Sequence, residues 1–154
     1  MKILVVSDVH ERPYALYAAL RQQPDAQTVI FLGDGLRTLE QAAAEEPQRR
    51  FLAVRGNCDW GVTGYPDTGL EQIGPVRIFY THGHLFGVKS DTDQLEYTAR
   101  QAGATVLLYG HTHRPQALYR DGLHILCPGA LVDGAYGLLE TGPGGVLLQT
   151  CRID

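Results

Sequence analysis

Three short β-branched runs, Ile3–Val6, Val29–Leu32 and Phe51–Val54, recur with a helix-length stretch between each pair. That spacing constrains the fold more than any other feature of the chain. A short apolar run without polar alternation reads as a strand buried on both faces. The stretches between are helical in their apolar spacing. Tyr14 to Gln22 has Pro13 just inside its start, where a missing N–H costs nothing. Leu36 to Glu46 is Ala-rich, and Pro47 stops it. Strand, helix, strand, helix, strand predicts a parallel sheet with right-handed crossovers.

The second half is built differently. Leu70–Ile73 and Val76–Tyr80 flank Gly74–Pro75 and read as a tight hairpin. Ser90 to Ala102 reads as a helix, with Ser90 as N-cap, Asp93 near the third position and Gly103 as the stop. Thr105 to Tyr109 is a further strand. Two more hairpins are expected, turning at Asp121–Gly122 and at Gly142–Pro143–Gly144–Gly145. No repeat, linker or low-complexity segment interrupts the chain, so residues 1–154 read as one domain. A domain of 154 residues buries well over half of its unfolded surface and needs no disulfide scaffold. Hydrophobic residues at 44% rule out disorder.

The formal net charge of −4 argues against a nucleic-acid partner. It leaves a phosphate substrate open, because bound divalent cations reverse the sign of a local site. Cys58, Cys127 and Cys151 are an odd, scattered set, which suggests reduced thiols and a cytoplasmic protein. The apolar run in MKILVVSD is too short for a signal peptide or a membrane span, so no membrane association is expected.

Polar residues of metal-ligand type collect in five places, each just after an expected strand. They are Asp8–x–His10, Gly33–Asp34, Gly56–Asn57–Cys58–Asp59, His82–Gly83–His84 and Gly110–His111–Thr112–His113. Each is weak alone. A D-x-H arises by chance about 0.4 times in a chain of this composition, and Gly–Asp is common turn chemistry. The ordered set is specific. In open α/β sheets the ligand crevice lies at the carboxyl ends of the strands, so one fold can gather all five clusters.

Carboxylates, imidazoles and an amide oxygen, with no thiolate cluster, suit Mn²⁺, Fe²⁺, Zn²⁺ or Ni²⁺ better than a structural zinc site. The clusters offer more ligands than one ion needs. Two cations sharing a bridging carboxylate could clamp the oxygens of a phosphoryl centre.

The ordered set D-x-H, G-D, G-N-C-D, H-G-H, G-H-T-H resembles the calcineurin-like metallophosphoesterases, and the chain length resembles their small prokaryotic phosphodiesterase branch. The resemblance runs from Lys2 to about Ala130. It implies an α/β fold, a four-layer αββα sandwich of two mixed β-sheets flanked by helices. It implies two divalent metal ions, Mn²⁺ first and Ni²⁺, Zn²⁺ or Fe²⁺ as alternatives. Asp8, His10 and His113 would hold one metal; Asn57, His82 and His111 would hold the other; Asp34 would bridge them. The implied reaction is hydrolysis of a small phosphodiester by in-line attack of a metal-bridging hydroxide.

Two departures from the family pattern matter. Many members carry a histidine where this chain has Cys58, and that histidine is the usual proposed general acid. Asp59 and His84 remain as expected catalytic or supporting groups, alongside Asn57. The branch's Asn-Pro-Gly-Ser is replaced by Cys127–Pro128–Gly129–Ala130. Two other readings stand beside the diesterase. One is a phosphomonoesterase or protein phosphatase. The other is a non-catalytic scaffold resembling the eukaryotic retromer subunit. A homodimer is compatible with all three. Trp60 and Tyr65, after Asp59, are expected either as a wall of the substrate cleft or as a small cluster beneath a loop. Arg12, Arg55 and Arg114 adjoin motifs and are expected as solvated surface, with contact to phosphate oxygens as the alternative.

Overall fold

The first strand, β1 (Lys2–Val6), is buried on both faces, and the alternation along it lays out the layers. A computed structural model describes residues 1–154. In it Leu4 and Val6 face an outer core with Leu16 and Leu20 of helix α1 (Pro13–Gln22) and Leu36 and Leu39 of helix α2 (Leu36–Glu45). Ile3 and Val5 face the other way, into a core shared with Ile78, Tyr80, Val106 and Leu108 of a second sheet. A strand covered on both sides has no solvent face to mark with polar residues, which is why its sequence reads as a continuous apolar run.

The first sheet has the order β10–β9–β1–β2–β3, with β2 at Thr28–Phe31 and β3 at Arg50–Ala53. Strands β1, β2 and β3 are parallel, as expected. The last hairpin, β9 (Ala135–Gly142) and β10 (Gly145–Arg152), returns to this sheet and pairs antiparallel with β1. The second sheet has the order β4–β5–β6–β8–β7. Its strands are β4 (Thr68–Ile73), β5 (Val76–Thr81), β6 (Val106–Tyr109), β7 (Gln116–Arg120) and β8 (Leu123–Cys127). Strands β5, β6 and β8 run parallel, and the edges β4 and β7 are antiparallel. Helix α3 (Asp93–Gln101) lies over the outer face, where Leu95 and Ala99 pack with Phe79, Leu107 and Ile125. Helices, sheet, sheet, helix give the four-layer α/β sandwich of two mixed sheets.

All three expected hairpins close with two residues between paired ends: Ile73 with Val76, Arg120 with Leu123, and Gly142 with Gly145. At the second, Asp121 (φ 48°) and Gly122 (φ 84°) both adopt positive φ, as a type I′ turn demands. Helix α3 starts later than the sequence suggested. The Ser90 amide is already bonded to the Gly87 carbonyl, and Asp91 Oδ1 accepts the Asp93 amide at 3.0 Å. That local turn consumes the residues expected to begin the helix, and Thr92 takes the cap position. No helix is long and apolar enough to cross a membrane.

Candidate metal centre

The five clusters follow β1, β2, β3, β5 and β6, the strands whose parallel directions point their carboxyl ends to one end of the sandwich. The backbone there is unusual. Six non-glycine residues adopt positive φ: Asp8, His10, Asp34, His111, His113 and the turn residue Asp121. Five of the six are expected metal ligands. Left-handed backbone is costly for a residue with a Cβ, and it persists only where the surroundings enforce it. Here the enforcement is visible. The Asp8 amide bonds the Gly33 carbonyl at 2.9 Å, and the Val9 amide bonds the Asp34 carbonyl at 2.9 Å. Gly110 allows the β6 loop to press on Ser7 and Asp8; a Cβ at Gly110 would collide with Ser7 Oγ and stand 3.1 Å from Asp8 Oδ2.

The side chains converge. Asp8 Oδ1 lies 3.4 Å from His10 Nε2 and 3.2 Å from His113 Nε2. Asp34 Oδ2 lies 3.3 Å from His82 Nε2 and 3.8 Å from His10 Nε2. Asn57 Oδ1 lies 3.0 Å from His82 Nε2. The ligand atoms form overlapping groups: Asp8, His10 and His113; His10, Asp34 and Cys58; Asp8, Asp34 and His82. The first is the triad expected for one metal. Asp34 faces both His10 and His82, the position a bridging carboxylate needs. His111 stands beside the others with its ring 5.1 Å from that of His82. It is not part of those tight groups.

The donor chemistry fits divalent cations. His82 is fully buried, and its Nδ1 donates to the Leu32 carbonyl at 2.6 Å. In the neutral ring that fixes the tautomer and leaves the Nε2 lone pair facing Asp34 and Asn57, free to ligate a cation. His10 Nε2 is buried with no hydrogen-bond partner. An orphaned imidazole nitrogen between two carboxylates is what a site for a cation presents.

The charges are strongly coupled. Burial by itself would raise the Asp34 carboxyl. The hydrogen bond and charge of His82, together with the Cys58 amide, outweigh it and bring Asp34 down to about 2. Burial pulls His82 down, but the Asp34 hydrogen bond and the Asp8 charge carry it above its ordinary value. His111 and His84 are both lowered, by burial first and then by the charge of His82.

Asp59 has a definite place. Its carboxylate is buried and accepts four backbone amides: Asp34 at 2.8 Å, Gly35 at 2.8 Å, Leu36 at 3.0 Å and Gly56 at 2.8 Å. It ties the β3 loop to the β2 loop and caps α2. Of its two expected roles, this placement supports the supporting one, since every oxygen is occupied. Cys58 acts through its backbone, whose amide donates to Asp34 Oδ1 at 2.7 Å. Burial and then the Asp34 charge push its thiol up, away from a thiolate. His84 faces the site, its ring 5.4 Å from that of His82 and its Nδ1 buried without a partner. Arg12 is bonded to the Val132 carbonyl and to Tyr14.

Sequence reasoning missed three contributors. Ser7 Oγ donates to Asp8 Oδ2 at 2.5 Å, and the His111 amide donates to the same oxygen at 3.2 Å. Asp133, far along the chain, lies 3.9 Å from His113 Nδ1. Neither Ser7 nor Asp133 stands in a recognisable motif, and the His111 contact is made by its backbone, which its motif does not announce. A cavity of about 290 Å³ opens beside the centre, lined by His10, Asp34, Arg37, Cys58 and Trp60 among others. A larger one, about 510 Å³, runs between Lys89–Asp93 and the β6–β7 connection and touches none of the seven ligand-type residues.

The profile of the calcineurin-like phosphoesterase superfamily domain matches residues 1–147. The chain belongs to that superfamily. A probable metallophosphoesterase of Bacillus subtilis, YsnB, is 30% identical, over 85% of this chain and 75% of its own length. Phosphodiesterase YfcE of Escherichia coli K12 is 32% identical, over 91% of this chain and 88% of its own. Among solved structures, wild-type Vps29 of Entamoeba histolytica complexed with zinc superimposes with a TM-score of 0.73 at 25% identity, over the full length of both chains. A superfamily member with these side chains is a metallophosphoesterase by family, and the structure brings the ligand-type residues together at one end of the sandwich.

Proposed function

We propose that this metallophosphoesterase is a dimetal phosphodiesterase acting on a small phosphodiester. The observation that carries the reading is the convergence of five ligand-type residues on left-handed backbone around Asp8 and Asp34. Asp8, His10 and His113 would hold one cation; Asn57, His82 and His111 would hold the second; Asp34 would serve both. Bound there, two cations activate water and neutralise phosphoryl oxygens. The chain's own residues do the positioning. The Leu32 carbonyl orients His82, Ser7 fixes Asp8, the Cys58 amide fixes Asp34, and Asp133 stands 3.9 Å from His113 Nδ1. His84 borders the site with an unpartnered ring nitrogen, and burial and then the charge of His82 lower its pKa and favour the neutral ring, which suits a proton acceptor. The likeness to the phosphodiesterase YfcE supports a diester over a monoester. Mn²⁺ is our first choice of metal, on the mixed carboxylate and imidazole donors. The free cysteines support a reducing, cytoplasmic setting.

The test is hydrolysis of bis-p-nitrophenyl phosphate beside p-nitrophenyl phosphate by chelator-stripped protein, with and without Mn²⁺. Metal-restored cleavage favouring the diester is expected. Metal-restored cleavage of the monoester alone would make it a phosphomonoesterase. The zinc-complexed Vps29 fold motivates one further reading, a metal-holding protein that does not turn over. Bound Mn²⁺, Zn²⁺, Ni²⁺ or Fe²⁺ with no cleavage of either ester would establish it in place of the enzyme.

A further inference from the structure

Trp60 is the only tryptophan of the chain, and its side chain is 79% exposed. It does not hang on a loose loop. It is the second residue of a turn closed by the Val62 amide on the Asp59 carbonyl, with Gly61 at φ 73° in the third place. Only glycine fits that place in a type II turn without strain. Both ends of the turn are pinned. Asp59 is held by four amides, and Val62 is buried in the outer core. The indole is therefore presented to solvent on a fixed base.

Arg37 stands opposite, one residue into α2, whose first amide is bonded to the same Asp59. Its side chain is exposed and pairs with no carboxylate, and its Nη2 approaches the Trp60 turn, 3.5 Å from where a Cβ on Gly61 would stand. Trp60 and Arg37 line the same cavity of about 290 Å³ as His10, Asp34 and Cys58, a size at the low end for ligand pockets. An exposed indole on a pinned turn, an unpaired guanidinium and a candidate phosphoryl site share one opening. Indole and guanidinium both offer flat faces to a ring, and the guanidinium also donates to its oxygen or nitrogen acceptors.

We propose that Trp60 and Arg37 form a subsite for a planar aromatic group, a nucleobase or an aryl ring, carried by the phosphoester that reacts beside them. The indole stacks on the ring. The Arg37 guanidinium donates to acceptors on the ring's edge. Because the turn is already ordered, stacking costs no loop ordering, only the rotamer freedom of the indole itself. The substrate class is then an aromatic phosphodiester, as opposed to an alkyl or glycerol-type ester. This rests on the phosphoesterase reading, which puts the phosphoryl group at Asp34.

With a single tryptophan, intrinsic fluorescence reports from this position alone. Mn²⁺-loaded protein would be titrated with adenosine 5′-monophosphate, phenyl phosphate and ribose 5-phosphate. The aromatic phosphates should quench the indole and bind roughly tenfold tighter than the sugar phosphate, the size of one stacked base. Whichever aromatic binds tighter identifies the ring. Calorimetry on Trp60→Ala should show the ratio collapsing towards one, and Trp60→Phe should restore most of it. Equal affinity for all three ligands in the wild-type protein, or a ratio that survives Trp60→Ala, overturns the subsite. Failure of the phosphoesterase reading is seen separately, as no cleavage of bis-p-nitrophenyl phosphate, because these binding ratios require no turnover.

Discussion

Asp34 is held at φ 65°, accepts the Cys58 amide at 2.7 Å and lies 3.3 Å from His82 Nε2. Removing its charge should therefore cost far more than removing the neighbouring thiol. Asp34→Asn is expected to lower kcat/KM by roughly 100-fold or more, and Cys58→Ala by less than about threefold. Similar small losses in both would contradict the bridging role. The same pair sets a pH dependence in chelator-stripped protein. His82, raised from 6.5, contributes stability that is complete below that value and is lost as pH rises through its folded pKa. Asp34, depressed from 3.8 to about 2, contributes stability present above 3.8 and lost as pH falls towards 2. Stripped protein should be most stable between roughly pH 4 and 6.5. A melting temperature that is flat from about pH 6 to 9 would refute this. Asp59 has a different sensitivity. In Asp59→Asn the amide nitrogen would face backbone N–H groups that now meet a carboxylate oxygen. A loss of roughly 2–5 kcal/mol is expected from urea unfolding, and a change below about 0.5 kcal/mol would show that the four bonds matter little. The ligand-type residues were legible because each follows a short apolar run that forms a strand, although β3, at the sheet edge, is only half-buried where full burial was expected. Ser7 and Asp133 were not, because a hydroxyl beside a carboxylate and a distant acidic residue carry no spacing signal. Asp59 was read as a site residue, but its bonding to backbone amides is invisible in the sequence.

At the level of elements, the loops after β2 and β3 touch backbone to backbone. A Cβ on Gly33 would stand 2.6 Å from the Gly56 amide, and one on Gly56 would stand 2.6 Å from the Asp34 amide and collide with its carboxylate. Gly56→Ala should displace Asp34, destabilise the fold by about 1–3 kcal/mol and reduce bound metal. Wild-type metal content by elemental analysis would show that the loops can part without disturbing the centre. The hairpins were readable because Asp–Gly and Gly–Pro dictate turn geometry locally. The start of α3 was not, because Asp91 and Ser90 each satisfy backbone groups in a turn of their own. Ser and Asp serve helix caps and isolated turns equally well, and tertiary packing decides between them.

Over the whole molecule, two sheets bring the carboxyl ends of five parallel strands to one end, so a cation bound there bridges both halves of the sandwich. Metal binding should stabilise the global fold. At about 100 times its Kd, Mn²⁺ adds about 2.7 kcal/mol, roughly 5–10 °C in Tm for a chain of this size. Asp34→Asn should abolish most of that shift, and an equal shift in the variant would place the ion elsewhere. The parallel half was legible from its alternating elements. The return of β9 to β1 was not, because that pairing joins the two ends of the sequence and leaves no local trace. Asp8, His10, Asp34, His111 and His113 occupy backbone that glycine tolerates far better. A laboratory lineage selected for heat resistance under chelator, with no ion to hold and no demand on phosphate chemistry, will accumulate glycine or asparagine at His10, His111 and His113, while Asp34 with its bonded partners stays. Thermal selection without metal would erase the centre and leave the sandwich standing; with metal it would preserve both.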